Sequence, residues 1–293
     1  MRYVSGQSRD ASCIFCTKPA LDDDVEHLIL HRSSDAFVIM NLYPYNSGHV
    51  MIVPFQHAAD ISDLPARTNR DLWDLVPWIT GALRRVLRCD GFNIGLNIGS
   101  VAGAGVAEHL HIHVVPRWEG DANFMPILAN TMVMPELMPV TYAKIRAELE
   151  LAAPEDGASG QVIPQAGAVP VIPSRGVVAL RRTADGSLVL PKGHIEPSEA
   201  AFETAIREVD EEMGLRAMPA GWGGVLSFEF GGQTRRVAHL LLEAEPGPEF
   251  DDHLGTDTEL YQPHDAVEAL THEAARTMLR SLISTIDAII AAG

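Results

Sequence analysis

Residues 151–167, LAAPEDGASGQVIPQAG, are dominated by alanine, glycine, proline and small polar side chains. A stretch of that composition buries too little apolar surface to join a core and reads as a linker. The chain has 293 residues, beyond the size at which one hydrophobic core usually stops growing. The sequence is therefore expected to fold as a first domain at residues 1–150, a linker at 151–166 and a second domain at 167–293. Neither half repeats the other.

In the first half, residues 36–53 hold two apolar runs around a Pro/Asn/Ser/Gly turn, the pattern of a hairpin. Between Asn69 and Leu87 the residues Leu72, Leu75, Val76, Ile79, Leu83 and Val86 recur at helical spacing, which predicts a core-facing helix. GFNIGLNIG and HLHIHVVPRW read as strands on either side of a backbone-dominated AGAG loop. Strands before and after one helix suggest an α+β domain with an antiparallel sheet. In HLHIHV the two-residue period of a strand puts His109, His111 and His113 on one face and Leu110, Ile112 and Val114 on the other. Such a face suits metal chelation, a plain surface row or a catalytic site. The stretch NFMPILANTMVMPELMP is read as cover for this domain's core or as a subunit contact.

In the second half, GAVPVI, GVVALRR and RVAHLLLEAE read as strands, SEAAFETAIREVDEEM as a helix, and THEAARTMLRSLISTIDAII as helical. Phe202, Ala205, Ile206, Val209 and Met213 form a stripe along the first helix, with Ser198 able to cap its start and Gly214 its end. Glu208, Glu211 and Glu212 stand at i, i+3 and i+4 near the negative end of the helix dipole, which destabilises a bare helix. A divalent cation removes that penalty, and ligands that are all oxygen suit magnesium or manganese. A solvated acidic face is the alternative in so acidic a chain.

The formal net charge of −17 argues against a nucleic-acid polymer as main ligand, though not against a small phosphate ester. No apolar run approaches a membrane span, and MRYVSGQSRD lacks the apolar core of a signal peptide, so a soluble cytoplasmic protein without membrane partners is expected. Three cysteines, two of them in CIFC, do not make a secreted disulfide framework. Cys89 reads as packing.

Around the acidic helix, Gly193, Glu199, Arg207, Glu208, Val209, Glu211, Glu212, Gly214 and Leu215 fill every defined position of the Nudix box. The resemblance to Nudix hydrolases implies an α/β/α sandwich and hydrolysis of a nucleoside diphosphate linked to another group. It implies Glu208 and Glu212 as catalytic metal ligands, Glu211 assisting, the Gly193 carbonyl contributing, and Glu199 with Arg207 as a brace. Ser198 stands where many relatives have glycine. The preceding LPKGH resembles dinucleoside polyphosphate hydrolases, with Lys192 on phosphate. A further carboxylate, as ligand or base, is expected at Glu259, with Glu243 and Glu245 as competitors.

HLHIHVV after a Gly-rich loop resembles the histidine-triad (HIT) signature, and NLYPYNSGHVMIVP, GFNIGLNIG, PRW and GDANFMP extend the likeness over roughly residues 10–150, toward the bacterial diadenosine tetraphosphate phosphorylases. It implies His111 as the nucleophile on the α-phosphate, His113 as a donor, and the His109 backbone as orienter of His111. Asn41 is implied at the ribose, with His49, Asn97 and the backbone at Gly105 near phosphate. Val106 and Ala107 stand where many HIT proteins carry a hydroxyl or amide, which leaves water or phosphate open as acceptor. Some relatives bind structural zinc, here through Cys13, Cys16, His57 and His109, two thiolates and two imidazoles suited to a tetrahedral site. Relatives commonly dimerise, which implies a homodimer or higher assembly through this domain. Both resemblances together point to a dinucleoside polyphosphate hydrolase or phosphorylase. The alternatives are a HIT phosphoramidase or triphosphatase joined to a Nudix enzyme for another nucleoside diphosphate derivative, or one domain sensing nucleotide for the other.

Overall fold

The computed structural model describes residues 13–103, 105–121, 136–152, 162–247 and 257–293. It divides into two compact units, Met1–Leu137 and Met138–Gly293.

The first unit opens on a short helix α1 (Ile14–Thr17), followed by strands β1 (Ile29–Arg32), β2 (Ala36–Met40) and β3 (Val50–Pro54), helix α2 (Ala66–Leu87), and strands β4 (Gly91–Leu96) and β5 (Ile112–Arg117). The five strands form an antiparallel sheet in the order β1-β2-β3-β5-β4. Helix α2 buries Thr68, Leu72, Leu75, Ile79, Ala82, Leu83 and Val86, one face at helical spacing. Val76, expected in that stripe, is half-buried at its margin. Against the sheet, Phe15 packs with Ile29, Phe37, Ile39, Met51 and Val53. The 36–53 hairpin forms, but its connection is the loop 41–49, long enough to carry functional side chains of its own. The ladder of β5 starts only at Ile112; before it, the Leu110 amide donates to the Ala58 carbonyl, 2.7 Å away. The methionine-containing stretch at 123–139 lies mostly outside the described residues.

The second unit begins earlier than the sequence suggests. Helix α3 (Met138–Leu151), read with the first domain, packs here, with Ala143 and Ala147 in the second unit's core. Strand β6 (Val162–Ile172) starts inside the expected linker because Val162 to Ala166 pair with β11. There follow β7 (Val177–Arg182), β8 (Leu188–Val189), β9 (Lys192–His194), α4 (Ala201–Met213), β10 (Leu215–Phe230), β11 (Gln233–Pro246), β12 (Thr258–Tyr261), α5 (Pro263–Ala269), α6 (Glu273–Ser281) and α7 (Ile283–Ala292). The sheet runs β10-β11-β6-β7-β12, with β8 on β7 and β9 on β6; only β11 and β6 are parallel.

One face of this sheet packs Ala166, Ala168, Ala179, Ala238 and Leu240 against α3 and α4. The other packs Val169, Val171, Val178, Leu180 and Leu241 against α5, α6 and α7. The result is an α/β/α sandwich. The closing helical stretch breaks at Leu282 into two helices. Strand β10 had no sequence signal, since Pro219, Gly221, Gly223 and Gly224 interrupt its pattern; its register shifts at Pro219/Gly221 and Trp222/Gly224.

Helix α4 ends as expected on Gly214, whose φ of 67° is the left-handed conformation that glycine tolerates. Its start differs: the N-cap is Ala200, not Ser198. Glu203 accepts the Ala200 amide at 2.7 Å, and Glu148, from α3, accepts the Ala201 amide at 3.0 Å. Among the described residues no helix is long and apolar enough to cross a membrane.

Candidate active sites and a candidate metal centre

His113 stands on β5 opposite Met51 of β3 and Gly95 of β4, on the sheet face where Phe15 packs. A Cβ added to Gly95 would meet nothing within 4 Å, so there is room beside the imidazole. The ring of His111 lies 4.7 Å from that of His113 and 5.1 Å from Phe15, centroid to centroid.

Hydrogen bonds fix the tautomers. The His109 carbonyl accepts from Nδ1 of buried His111 at 2.9 Å, which leaves the His111 Nε2 lone pair free. Nδ1 of buried His49 accepts the Tyr45 amide at 3.1 Å, with the Asn41 carboxamide nitrogen at 3.2 Å. Neutral His49 must then carry its proton on Nε2 and donate to His113 Nδ1 at 3.0 Å. The His113 proton is thereby placed on Nε2, a buried atom with no partner among the described residues. Burial first, then the neighbouring imidazoles, push His49 down to about 3 and His113 to about 4; burial also lowers His111. All three rings are neutral at physiological pH.

Asn41 is engaged within its own loop, its carboxamide oxygen accepting the Tyr43 amide at 3.0 Å. Asn97, half-buried, directly follows β4, whose Leu96 pairs with Ile112. Gly105 lies in an exposed turn, and Val106 packs against the Phe15 cluster. Tyr45, not among the residues expected from the sequence at this site, stacks on His49 with centroids 5.0 Å apart.

The third histidine of the row turns elsewhere. His109 precedes the β5 ladder, and its Nδ1 lies 3.3 Å from Cys13 Sγ and 3.5 Å from Cys16 Sγ. His57 Nδ1 lies 3.3 Å from Cys16 Sγ. Ligand atoms of Cys13, Cys16, His57 and His109 all fall within 4.8 Å of one another, the one such grouping among the described residues. The Pro54 carbonyl accepts from His109 Nε2–H at 2.9 Å, which turns the Nδ1 lone pair toward the thiols, as a carbonyl behind a metal-binding histidine does. Cys89 is buried.

In the second unit, Arg207 donates twice to Glu199, at 2.8 and 3.0 Å, and once to the His194 carbonyl at 3.0 Å. This clamps the 194–199 loop to α4 and holds the Glu199 carboxyl down at about 2. Arg207 also reaches Glu208 at 2.7 Å and Glu211 at 3.1 Å, while Arg181 of β7 binds Glu212 at 2.5 Å. The three carboxylates do not converge into one ligand group. The acidic face is not bare either, because two guanidinium groups offset its repulsion. Nothing in the local sequence marked Arg181 as a partner, since its contact depends on how β7 lies beneath α4.

Glu208 rests on the backbone at Gly193: a Cβ there would sit 1.8 Å from Glu208 Oε1. Glu212 is raised, chiefly by burial, with Arg181 opposing and Glu208 reinforcing; it accepts the Lys192 amide. The half-buried Lys192 ammonium is lowered, mainly by burial, and lies 5.5 Å from the Phe228 ring centroid.

Glu259 is not brought to this group. It pairs with Leu180, on the sheet face opposite α4, and its carboxylate is held by Arg182 and by the Tyr261 hydroxyl at 2.6 Å. Glu243 and Glu245 are exposed and alternate with Leu242 and Ala244, which face the α4 core. They also point away.

A HIT domain model matches residues 23–120 and a NUDIX domain model residues 163–282. The AP-4-A phosphorylase of Mycobacterium tuberculosis is 40% identical over 134 residues, covering 46% of this chain and 68% of that protein. An uncharacterized HIT-like protein of Saccharolobus solfataricus is 32% identical over 114 residues, covering 39% of this chain and 79% of the relative. Among solved structures, a Zn-bound histidine triad family protein from Mycobacterium smegmatis is 28% identical, with a TM-score of 0.39, and covers 47% of this chain and 92% of its own.

Proposed function

The chain belongs to the HIT family and joins its HIT domain to a NUDIX domain, and from that premise we propose that it is a dinucleoside polyphosphate hydrolase or phosphorylase with two chemically distinct sites. The observation that carries the reading is the pair of fixed tautomers, a free lone pair on His111 Nε2 beside a proton on His113 Nε2. Such a pair suits nucleophilic substitution at phosphorus. His111 Nε2 attacks the α-phosphate, a P–N bond forms as the P–O bond to the leaving group breaks, and His113 gives its proton to the departing oxygen. The resulting imidazolium keeps its Nδ1 proton on the His109 carbonyl. Water or inorganic phosphate then takes the nucleotidyl group as the P–N bond breaks, its proton passing to His113 Nε2, which regenerates both the lone pair on His111 and the acid on His113.

Cys13, Cys16, His57 and His109 would hold zinc, and their donor set fits that ion. When bound, it supplies a cross-link between the N-terminal segment and the start of the triad. Glu208 and Glu212, helped by Glu211 and the Gly193 carbonyl, would hold magnesium or manganese in the NUDIX domain. A carboxylate offers about four lone-pair directions, so Glu212 can keep Arg181 and still ligate. The bound cation supplies neutralisation of a pyrophosphate and activation of water. Lys192 adds a charge to the phosphate chain, and Arg207 keeps the loop and α4 in register.

The homodimer implied for this family remains part of the proposal, as does a small nucleotide rather than a nucleic-acid polymer as substrate. The test is product analysis with diadenosine tri- and tetraphosphate, with and without magnesium and inorganic phosphate. ADP formed without magnesium only when phosphate is present marks the first site as a phosphorylase, and AMP formed in its absence marks a hydrolase. Failure to cleave either compound, with turnover of adenosine phosphoramidate instead, overturns the substrate assignment in favour of a phosphoramidase.

A further inference from the structure

The first unit holds a polar group, built from the PRW and GDANFMP stretches, that takes no part in the proposed chemistry. Arg117, at the end of β5, donates to Asp121 twice, from Nε to Oδ2 at 2.6 Å and from Nη2 to Oδ1 at 2.5 Å. The Trp118 amide adds a bond to Oδ2 at 3.1 Å, and the Asp121 amide closes the turn on the Trp118 carbonyl at 3.1 Å. Arg117 also reaches the neighbouring strand, donating from Nη1 to Asn93 Oδ1 of β4 at 2.7 Å. A two-point guanidinium–carboxylate pair fixes direction as well as distance. The Asp121 side chain, 12% exposed, is thereby held at one place beside the end of the sheet.

A fourth bond to this carboxylate comes from the loop 41–49. Asn46 Nδ2 donates to Asp121 Oδ2, 75 residues away in sequence, and to the Pro116 carbonyl, both at 2.9 Å. The Asn46 carbonyl in turn accepts the His49 amide at 3.1 Å, and the His49 carbonyl accepts the Asn41 amide at 2.9 Å. Gly48 brings the same loop against the end of α2: its φ is 75°, and an added Cβ would lie 2.3 Å from Leu87 Cδ1 and 3.6 Å from Pro116 Cγ. Tyr45, whose amide donates to His49 Nδ1, is the chain neighbour of Asn46. Loops move more than the strands they join, so an amide that must hold one direction needs an anchor. An exposed ion pair alone would contribute little. Here the pair is the fixed end of a bond to the segment that sets the histidine protons.

We propose that Asn46 and Asp121 are positioning residues of the first site, which pin the loop 41–49 to the end of β5 so that the Tyr45 amide stays on His49 Nδ1 and the His113 proton stays on Nε2. Neither residue touches the reacting atoms. Release of the pin lets the Tyr45 amide leave His49, whose Nδ1 is then open to carry the ring's one proton. With its proton there, His49 turns a bare Nε2 lone pair to His113 Nδ1. Two lone pairs cannot face each other at hydrogen-bond distance without repulsion, so His113 moves its proton to Nδ1 and donates it to His49. The acid that serves the departing oxygen is then lost, while the substrate still binds. The proposal rests on the HIT reaction described above.

The experiment uses the full chain, with ring nitrogens followed by NMR of 15N-histidine protein in the absence of substrate. In the wild type, His49 and His113 should both read as protonated on Nε2 and His111 on Nδ1. Asn46→Asp keeps the size of the side chain but sets a carboxylate against the Asp121 carboxylate and the Pro116 carbonyl. It should move a large share of the His113 proton to Nδ1. In cleavage of diadenosine tetraphosphate without magnesium it should lower kcat about tenfold with KM within twofold, part of what a placed acid contributes. The double variant Asn46→Asp/Asp121→Asn sets an amide opposite a carboxylate again and should recover most of both effects. Asp121→Asn alone is milder, since its carboxamide oxygen can keep the three bonds made by Oδ2; it should show the same changes in smaller measure and serves if Asn46→Asp does not fold. Unchanged ring nitrogens in these variants would overturn the proposal, as would a loss confined to KM or one that the double variant fails to recover. The NMR needs no turnover, so a shifted His113 proton in a chain that does not cleave the dinucleotide would reject the HIT reaction and not the pin.

Discussion

His113 does not set its own tautomer; the Tyr45 amide sets it through His49. With His49→Ala, His113 is free to move its proton to Nδ1, and magnesium-independent cleavage should fall on the order of 10²-fold, the usual worth of a placed acid. Initial rates of nucleotide release measure this, with His49→Gln, which restores a donor, recovering part of the loss. The nucleophile has its own test: His111→Asn should abolish a trapped covalent nucleotidyl adduct, and an adduct that survives would reject His111. Acid should act late. Because His49 and His113 are lowered to about 3 and about 4, their folded values lie below the ordinary histidine value. Their contribution to stability is therefore complete above about pH 6.5 and is lost as pH falls toward 4 and 3. Melting temperatures taken between pH 7.5 and 4 should drop along that window, and the first site's rate should show no acidic limb centred near 6.5. A limb there would mean that the histidines titrate as exposed groups.

At the scale of elements, the loop and helix at 193–214 work as one part. The Cβ of Gly193→Ala would displace the flexible end of Glu208 and leave backbone contacts in place. Metal-dependent hydrolysis should fall on the order of 10²-fold, as for a misplaced catalytic group, with a nearly unchanged melting temperature. Glu212→Gln should abolish the same activity with its fold intact, and retained turnover would remove the carboxylates from the chemistry. Much of this part was legible locally: the apolar stripe and Gly214 fixed the helix and its end. Its start was not, because the acceptor for the Ala201 amide comes from Glu148, 53 residues earlier. Strand β10 escaped for a related reason, since the partner β11 holds together a sequence full of glycine and proline.

Across the whole molecule, the two reactions should separate by metal. Withdrawing magnesium should silence the NUDIX site and spare the HIT site, read as products from single-site variants. Elemental analysis should find about one zinc per chain, and Cys13→Ser should lower both zinc content and the melting temperature of the first unit; a metal-free wild-type chain would reject the zinc centre. Composition and periods of two and 3.6 residues already carried the division into two domains, the helix stripes and the shared side of His111 and His113, whose rings lie 4.7 Å apart. Tertiary structure alone decided that α3 joins the second unit. It also decided that His109, which the HIT resemblance grouped with the cysteines, leaves the face of His111 and His113 ahead of the β5 ladder, that Arg181 and Arg207 share the acidic face, and that Glu259 lies on the wrong side of the sheet. Each of these depends on register or on hydrogen bonds between residues distant in sequence. A strand's alternation says which side chains travel together, and only its neighbours say which face they take.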